Sequence, residues 1–230
     1  MLTGKILLFS DVHIPYQHPR FFEFMQKVIK KKGPFSRVIC LGDLPDQYNF
    51  SKFVKHPEAE SAMEELKRAR KEIKKLARII PELDYIVGNH ESRIYKRAAE
   101  NSFFAPLIKA LPEIYEFPEG WKIIKPIVQR DLMVVHGDEV AVKGSDIPRQ
   151  FNRVLQKNVI HGHFHAEAGV RYFNNNDKTN WVLSLGCTVN RNAYAFDYGN
   201  KFGSRFGVLG CGVLIDGVPH FIAMEDILNG

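Results

Sequence analysis

The chain has 230 residues, 45% hydrophobic and 25% charged, enough to bury a substantial core, and it reads as one domain over 1–230. Its 32 basic and 26 acidic residues leave a net charge of +6, a mild bias that suits a phosphate-bearing or nucleic-acid partner without identifying one. No run of about eighteen apolar residues occurs, no leader-like segment opens the chain, and Cys40, Cys187 and Cys211 form no CxxC pair, so a spanning helix and a thiolate zinc knuckle are excluded and a reducing, cytoplasmic setting without a membrane partner is expected.

KILLF (5–9) predicts a buried strand. Residues 20–32 predict a helix, with Phe21, Phe24 and Val28 at helical spacing and Gly33-Pro34 as its stop. RVICL (37–41) predicts a second strand. A long helix is expected from Pro57 to residue 80, with Met63, Leu66, Ile73, Leu76 and Ile80 as its apolar stripe. Its charged face, 64–78, reads as a solvated outer face with a Glu64–Arg68 pair at i,i+4. LDYIV (83–87) predicts a third strand, and this alternation is the pattern of a parallel sheet with right-handed crossovers. The second half is strand-rich. WKIIKPIV and LMVVH, within 121–136, each read as one strand. A helix follows over 146–156, with Ile147, Phe151 and Val154 to one side. NVIHG, GVRYF and NWVLSLG come next, and GVLGCGVLI, Asp216-Gly217 and VPHFIAM predict a closing hairpin.

What ends each strand is more informative than the strands. KILLF runs into Ser10-Asp11-Val12-His13, VICL into Gly42-Asp43-Leu44-Pro45-Asp46, and YIV into Gly88-Asn89-His90-Glu91. LMVV runs into His136-Gly137, and NVI into His161-Gly162-His163-Phe164-His165. Sites in open α/β sheets assemble at the carboxyl ends of strands, so these distant groups can meet. Oxygen and imidazole donors without thiolate suit manganese, iron, zinc or nickel. So many donors exceed the needs of one ion and suit a pair about 4 Å apart, as used in phosphate-ester hydrolysis.

The set DVH, GDLPD, GNHE, HG and GHFH, from Asp11 to His165, resembles the five signatures of the calcineurin-like metallophosphoesterase superfamily, in the superfamily's order. The size and the GNHESR wording resemble its small prokaryotic and bacteriophage-borne members. The resemblance implies an α/β fold: a two-sheet β-sandwich flanked by helices, four layers in the order αββα. It implies a phosphate-ester substrate and two divalent metal ions, Mn2+ first, with Fe, Zn or Ni as the other candidates. Asp11, His13 and His165 would hold the first ion, with Asp43 bridging to a second held by Asn89, His136 and His163. Strand alternation puts His161, His163 and His165 on one face and does not choose among them; the family pattern selects the last two and leaves His161 to packing or to supporting a ligand.

The same resemblance implies a dinuclear, metal-dependent hydrolase in which a water acidified between the ions attacks phosphorus. His90 would donate a proton to the leaving oxygen, and Asp46 would hold that imidazole in its useful tautomer and favour its cation. Arg93, one turn further on, would contact the phosphate, or be a surface residue at a helix start. Glu91 is expected to cap or to salt-bridge. The GDxxDRG wording of many phosphoprotein phosphatases is not met, because Gln47-Tyr48 follow Asp46; this argues against a Ser/Thr protein phosphatase.

Substrate must be read from loops. Tyr194, Phe196, Tyr198, Phe202 and Phe206 interleave with Arg191, Lys201 and Arg205, a pattern that fits base stacking and equally a packed flap. Tyr48 to Phe53 follows Asp43 and is expected to form a pocket wall. Phe103 and Phe104 read as the core of a short helix. Three functions stay open: a phosphodiesterase acting on a nucleic acid or nucleotide, first; a phosphomonoesterase acting on a small metabolite or phosphoprotein, second; and a non-catalytic metal-binding module, third.

Overall fold

The protein is described here by a computed structural model, which covers residues 2–100, 107–175, 178–196 and 207–230. In chain order its elements are β1 (Lys5–Phe9), α1 (Phe21–Lys32), β2 (Arg37–Cys40), α2 (Ala62–Ile79), β3 (Leu83–Ile86), α3 (Ser92–Glu100), α4 (Leu111–Tyr115) and β4 (Trp121–Ile124). There follow β5 (Ile127–Val128), β6 (Leu132–Val135), α5 (Ile147–Leu155), β7 (Asn158–His161), β8 (Ala168–Asn175), β9 (Lys178–Leu185), β10 (Gly210–Ile215), β11 (Val218–Ala223) and α6 (Met224–Asn229). One sheet has the order β11-β10-β1-β2-β3-β4, with β1 to β4 parallel and β10 antiparallel to both its neighbours. The other has the order β5-β6-β7-β9-β8, with β6, β7 and β9 parallel.

Alternation along the strands sorts the apolar residues into layers. Ile6 and Leu8 of β1 face the second sheet and join Ile39, Ile86, Val134, Ile160, Leu183 and Leu185 between the sheets. Leu7 and Phe9 face the other way and pack with Phe24 and Val28 of α1, Ile73 and Leu76 of α2, and Met224 of α6. On the far side of the second sheet, Ile147 and Phe151 of α5 cover Val159 and Val182. The result is mixed α/β, two stacked sheets flanked by helices. Each fully buried Leu, Ile or Phe contributes about 1.5–3 kcal/mol, so the inter-sheet layer is a rigid base for whatever the strand ends carry.

Several expectations change. WKIIKPIV is two strands, not one: β4 pairs with β3 in the first sheet and β5 with β6 in the second. The break falls at Lys125-Pro126, where proline lacks the N–H a ladder needs, and the chain changes sheets there. Helix α2 starts at Ala62, not Pro57, because Ser61 and Glu64 form a reciprocal capping box. Leu66, Ile73, Leu76 and Ile80 face inward as expected, but Met63 is exposed and Glu65 is buried. Arg68 pairs with Glu60 at 2.5 Å rather than with Glu64, which is engaged by Ser61. Val154 is likewise exposed, leaving Ile147 and Phe151 as the buried side of α5. The Asp216-Gly217 hairpin is present, with φ of 47° and 86°, the left-handed pair a tight turn requires. The short helices α3, α4 and α6 complete the helical layer.

Candidate functional site

The loops leaving β1, β2 and β3 meet those leaving β6 and β7 at one rim. Backbone bonds fasten them: Asp11 N–H to Gly42 C=O at 3.1 Å, His13 N–H to Asp43 C=O at 3.0 Å, and Gly162 N–H to His136 C=O at 2.8 Å. Four of the residues carried there lie in the left-handed region: Asp11 and His13 at φ 54°, Asp43 at 51° and His163 at 65°. That conformation costs a non-glycine residue of order 1–3 kcal/mol, and it persists only where surrounding contacts over-determine it. The glycines between them allow close approach. A Cβ on Gly42 would lie 2.7 Å from the His136 Nδ1, and one on Gly162 would lie 2.5 Å from the Asp11 Oδ2.

Three groups of donors result among the described residues: one is His13, Asp46 and His90, and the other two are made of residues the sequence proposed as ligands. Asp11, His13 and His165 form one: His165 Nε2 lies 3.0 Å from Asp11 Oδ1 and 3.2 Å from His13 Nε2. Asp43, His136 and His163 form the other, with His136 Nε2 at 3.3 Å from Asp43 Oδ2 and at 3.1 Å from Asn89 Oδ1. Asp43 Oδ2 is also 4.0 Å from His13 Nε2, so this oxygen lies between the groups. The other oxygens are committed elsewhere. Asp43 Oδ1 accepts the His90 N–H at 2.9 Å, and Asp11 Oδ2 accepts the Ser10 hydroxyl at 2.5 Å and the His163 N–H at 2.8 Å. All seven residues proposed as ligands from the sequence are therefore at this rim.

Each group offers what a divalent cation needs. Donor atoms sharing one ion at about 2.0–2.2 Å stand about 3 to 3.5 Å apart, close to the separations above. Imidazole tautomers are set from behind: His136 Nδ1–H donates to Leu41 C=O at 2.6 Å and His13 Nδ1 meets Asp46 Oδ2 at 2.7 Å, so both present Nε2 to the rim. Charge points the same way. Burial by itself would lower His13, but the Asp11 carboxylate beside it and its hydrogen bond to the Asp46 carboxylate outweigh this and lift the imidazole to about 10. His136 is likewise raised, Asp43 overcoming burial. Asp11 and Asp43 are held below the usual carboxylate range although burial opposes this, through His165 and His136 respectively. The carboxylates thus draw protons onto buried imidazoles, and a divalent cation could replace those protons. The donor set fits hard to borderline divalent metals.

The Asp46 side chain differs from expectation. Asp46 carboxylate is bonded to His13, and stands 3.6 Å from His90 Nδ1. It is the Asp46 backbone C=O that accepts the His90 Nδ1–H, at 2.8 Å. The cause is local: Asp46 N–H bonds to Ile14 C=O, so the 43–46 loop runs alongside 11–14 and aims the carboxylate at His13. Arg93 is not a free surface residue. Its Nη1 donates to the Asp46 C=O at 3.0 Å and its Nη2 to His90 Nε2 at 2.7 Å. His90 Nε2 is 3.7 Å from Asp43 Oδ2, at the edge of the centre.

His161 is in neither group. Its buried ring stacks on Phe151 at 4.3 Å, and Ser184 hydroxyl donates to its Nε2 at 2.8 Å. Burial pushes it down to about 4. Two buried glutamates matter: Glu91, whose role differs from the one expected, and Glu65, which the sequence pattern did not single out. Glu91 neither caps nor salt-bridges: fully buried, it accepts the N–H groups of Asp43, Leu44 and Gly88, at 3.2, 2.7 and 2.8 Å, and the Tyr85 hydroxyl. Burial, then Asp43, pushes it up to about 7. Glu65 accepts Tyr48 N–H at 2.7 Å and Asn49 N–H at 3.0 Å, fastening the loop after Asp43 to α2. A glutamate on the inward side of an amphipathic helix was the available signal. Of the aromatic loop, Phe196 lays its ring edge-on to His13 at 5.4 Å, and Tyr194 packs with Tyr16 and Tyr48, each at 5.3 Å. Arg191 donates to Gly207 C=O. Tyr198, Phe202, Phe206, Lys201 and Arg205 lie outside the described residues, as do Phe103 and Phe104. The three cysteines are free and buried.

A family model described as calcineurin-like phosphoesterase matches residues 4–201. Among solved structures, a metallophosphoesterase from Sphaerobacter thermophilus is similar at 14% identity and a TM-score of 0.45, over 98% of this chain and 93% of that one. The protein TT1561 of Thermus thermophilus is similar at 10% identity and a TM-score of 0.39, over 96% and 99%. No curated protein matches the chain.

Proposed function

We propose, from the premise that the chain belongs to the calcineurin-like phosphoesterase family and is thus a metal-dependent phosphoesterase, that it works with two ions, manganese first, on a phosphodiester such as a nucleotide or nucleic acid. The observation that carries the dinuclear reading is the position of Asp43 Oδ2, 3.3 Å from His136 Nε2 and 4.0 Å from His13 Nε2, between two groups of three donors. Asp11, His13 and His165 would hold one ion, Asn89, His136 and His163 the other, with Asp43 shared. Bound there, the ions would supply Lewis-acid polarisation of the phosphoryl oxygens and acidify an attacking water.

The chain's own groups do the rest. Water oxygen forms the new bond to phosphorus, the ester P–O bond breaks, and the leaving oxygen must gain a proton. His90 would give it: its Nδ1–H is fixed on the Asp46 C=O, which leaves Nε2 as the exchangeable nitrogen and supports this reading. Arg93 occupies Nε2 until an anionic phosphoryl group draws the guanidinium away, which leaves Nε2 able to carry a proton. Asp46 carboxylate acts on His13 instead, orienting an imidazole that holds metal. The absence of an arginine after Asp46, where Gln47 stands, favours a diester over a phosphoprotein.

The test is hydrolysis of bis-p-nitrophenyl phosphate against p-nitrophenyl phosphate with manganese, alongside metal analysis. Faster diester cleavage and two ions per chain are expected. Faster monoester cleavage would move the assignment to a phosphomonoesterase, one ion per chain would end the dinuclear reading, and no cleavage with manganese, nickel, zinc or iron would leave a binding module. His90→Ala should lower turnover with metal content unchanged; loss of metal on that change would remove His90 from its assigned role.

A further inference from the structure

Beside the metal centre lies a cavity of about 570 Å³, walled by the loop 48–57 on one side and Tyr194–Phe196 on the other. His90 and Arg93 are among its lining residues, and His90 Nε2 is 3.7 Å from Asp43 Oδ2, so the cavity borders the metal centre. Its volume falls in the range of pockets that take a drug-sized ligand, well beyond the needs of a bare phosphate.

The chemistry of the walls is specific. Phe53 and Val54 are 57% and 96% exposed at the mouth, an apolar pair held out in water next to a polar site. Phe196, packed edge-on against His13, brings an aromatic surface to the metal side of the same cavity. Lys55 lines the same cavity, its ammonium 5.1 Å from the Tyr48 ring and bonded to Ser51 C=O at 2.7 Å. Burial lowers the Lys55 ammonium, and repulsion from Arg93 and Arg97 lowers it further. The carboxylates that oppose this, Glu65 and Asp46, are already bonded to the loop's own N–H groups and to His13. An anion entering here would meet a surplus of positive charge, and a flat ring system would meet apolar faces.

We propose that this cavity receives the nucleoside of a nucleoside phosphoester, the base against Phe53 and Phe196 and the phosphate towards Arg93 and Lys55. The assignment rests on the phosphoesterase reading for its chemistry but on the cavity alone for its ligand. Rings and cations interleaved along one path are how proteins hold a base and its phosphate without reading sequence. An alkyl ester would bring no flat ring to Phe53 and Phe196, and a small monoester would leave Phe53 and Val54 in water.

Binding and hydrolysis separate the two claims. Manganese-loaded protein is titrated calorimetrically with an adenosine phosphonate whose C–P bond cannot be hydrolysed, and with methylphosphonate. The nucleoside compound is expected to bind at least about tenfold more tightly, and Phe53→Ala to remove most of that advantage. Lys55→Met should weaken the nucleoside compound severalfold as well. Equal affinities, or a preference that survives Phe53→Ala, would overturn the proposal. In parallel, methyl p-nitrophenyl phosphate and thymidine 5′-(p-nitrophenyl phosphate), which share a leaving group, are assayed with manganese. A higher kcat/KM for the nucleoside ester, falling towards parity in Phe53→Ala, supports it. Tight binding of the phosphonate with neither ester cleaved would sink the hydrolytic reading and leave the cavity assignment standing; cleavage of both at equal rates would do the reverse.

Discussion

Asp11, Asp43 and His136 are buried, two of them on left-handed backbone, while Phe53 and Val54 stand largely exposed on the wall of the adjoining cavity. The first set is held by two sheets at once: carbonyls of Leu41, Gly42 and Asp43 are each spoken for by a neighbouring ligand loop. The second hangs from a single segment, fastened to α2 through Glu65 and to α3 through the Arg97 bonds to Phe50 and Ser51. The contrast teaches that the rim and the wall are built on different mechanical terms. A metal held at the rim would tolerate little displacement, which over-determined donors provide; a wall meeting varied substrate would be free to change without disturbing them.

The sharpest way to break that contrast is at the oxygen shared by both donor groups. Asp43→Ala should remove both ions and lower kcat at least about a thousandfold, since metal ions contribute several kcal/mol of transition-state stabilisation. Retention of two ions by atomic absorption would show that Asp43 is not shared. A second approach tests how dry the floor is. His161 is held neutral, its folded value pushed down to about 4 by burial. The unfolded chain therefore binds the extra proton first as pH falls, and stability present above about 6.5 is lost progressively down to about 4, by up to about 3 kcal/mol. Urea midpoints of the metal-depleted protein across that window should fall, and His161→Gln should flatten the fall. An unchanged slope in the variant would place water at His161.

Smaller effects grade outwards. Asp46→Asn should weaken metal binding about 10–100-fold, by loosening His13, with a lesser effect on the His90 carbonyl contact. If kcat falls while metal affinity is unchanged, the carboxylate serves His90 after all. At the wall, Glu65→Ala leaves Tyr48 and Asn49 N–H groups without their acceptor and should cost about 1–3 kcal/mol of stability. It should raise KM for the diester with two ions still bound. Metal loss in that variant would mean the wall and the floor are one unit.

Much of the centre was legible in the order of residues alone, because each donor follows a strand directly and strand ends in parallel sheets converge. The partners behind the donors were not. Glu91 reads as a cap or salt-bridge residue until Asp43, Leu44 and Gly88 are seen to point their N–H groups at it from two loops. Asp46 reads as a partner for His90 because the two are near the same motifs; its carboxylate goes to His13 because residues 43–46 run beside 11–14. Helix α2 shows the same limit from the other side. Periodicity placed Met63 inward and overlooked Glu65, since hydropathy does not know that a loop's N–H groups need an acceptor there.

By itself the sequence determined the order of strands, the donor types at their ends and hence the family and its metal dependence, all of which depend on neighbours in the chain. Which oxygen of Asp46 faces which imidazole, where WKIIKPIV changes sheets, and that Lys55 borders the reacting position were decided only in three dimensions, whereas the 48–53 wall was read from the chain. Those features depend on contacts between segments tens of residues apart, whose energies no local pattern carries.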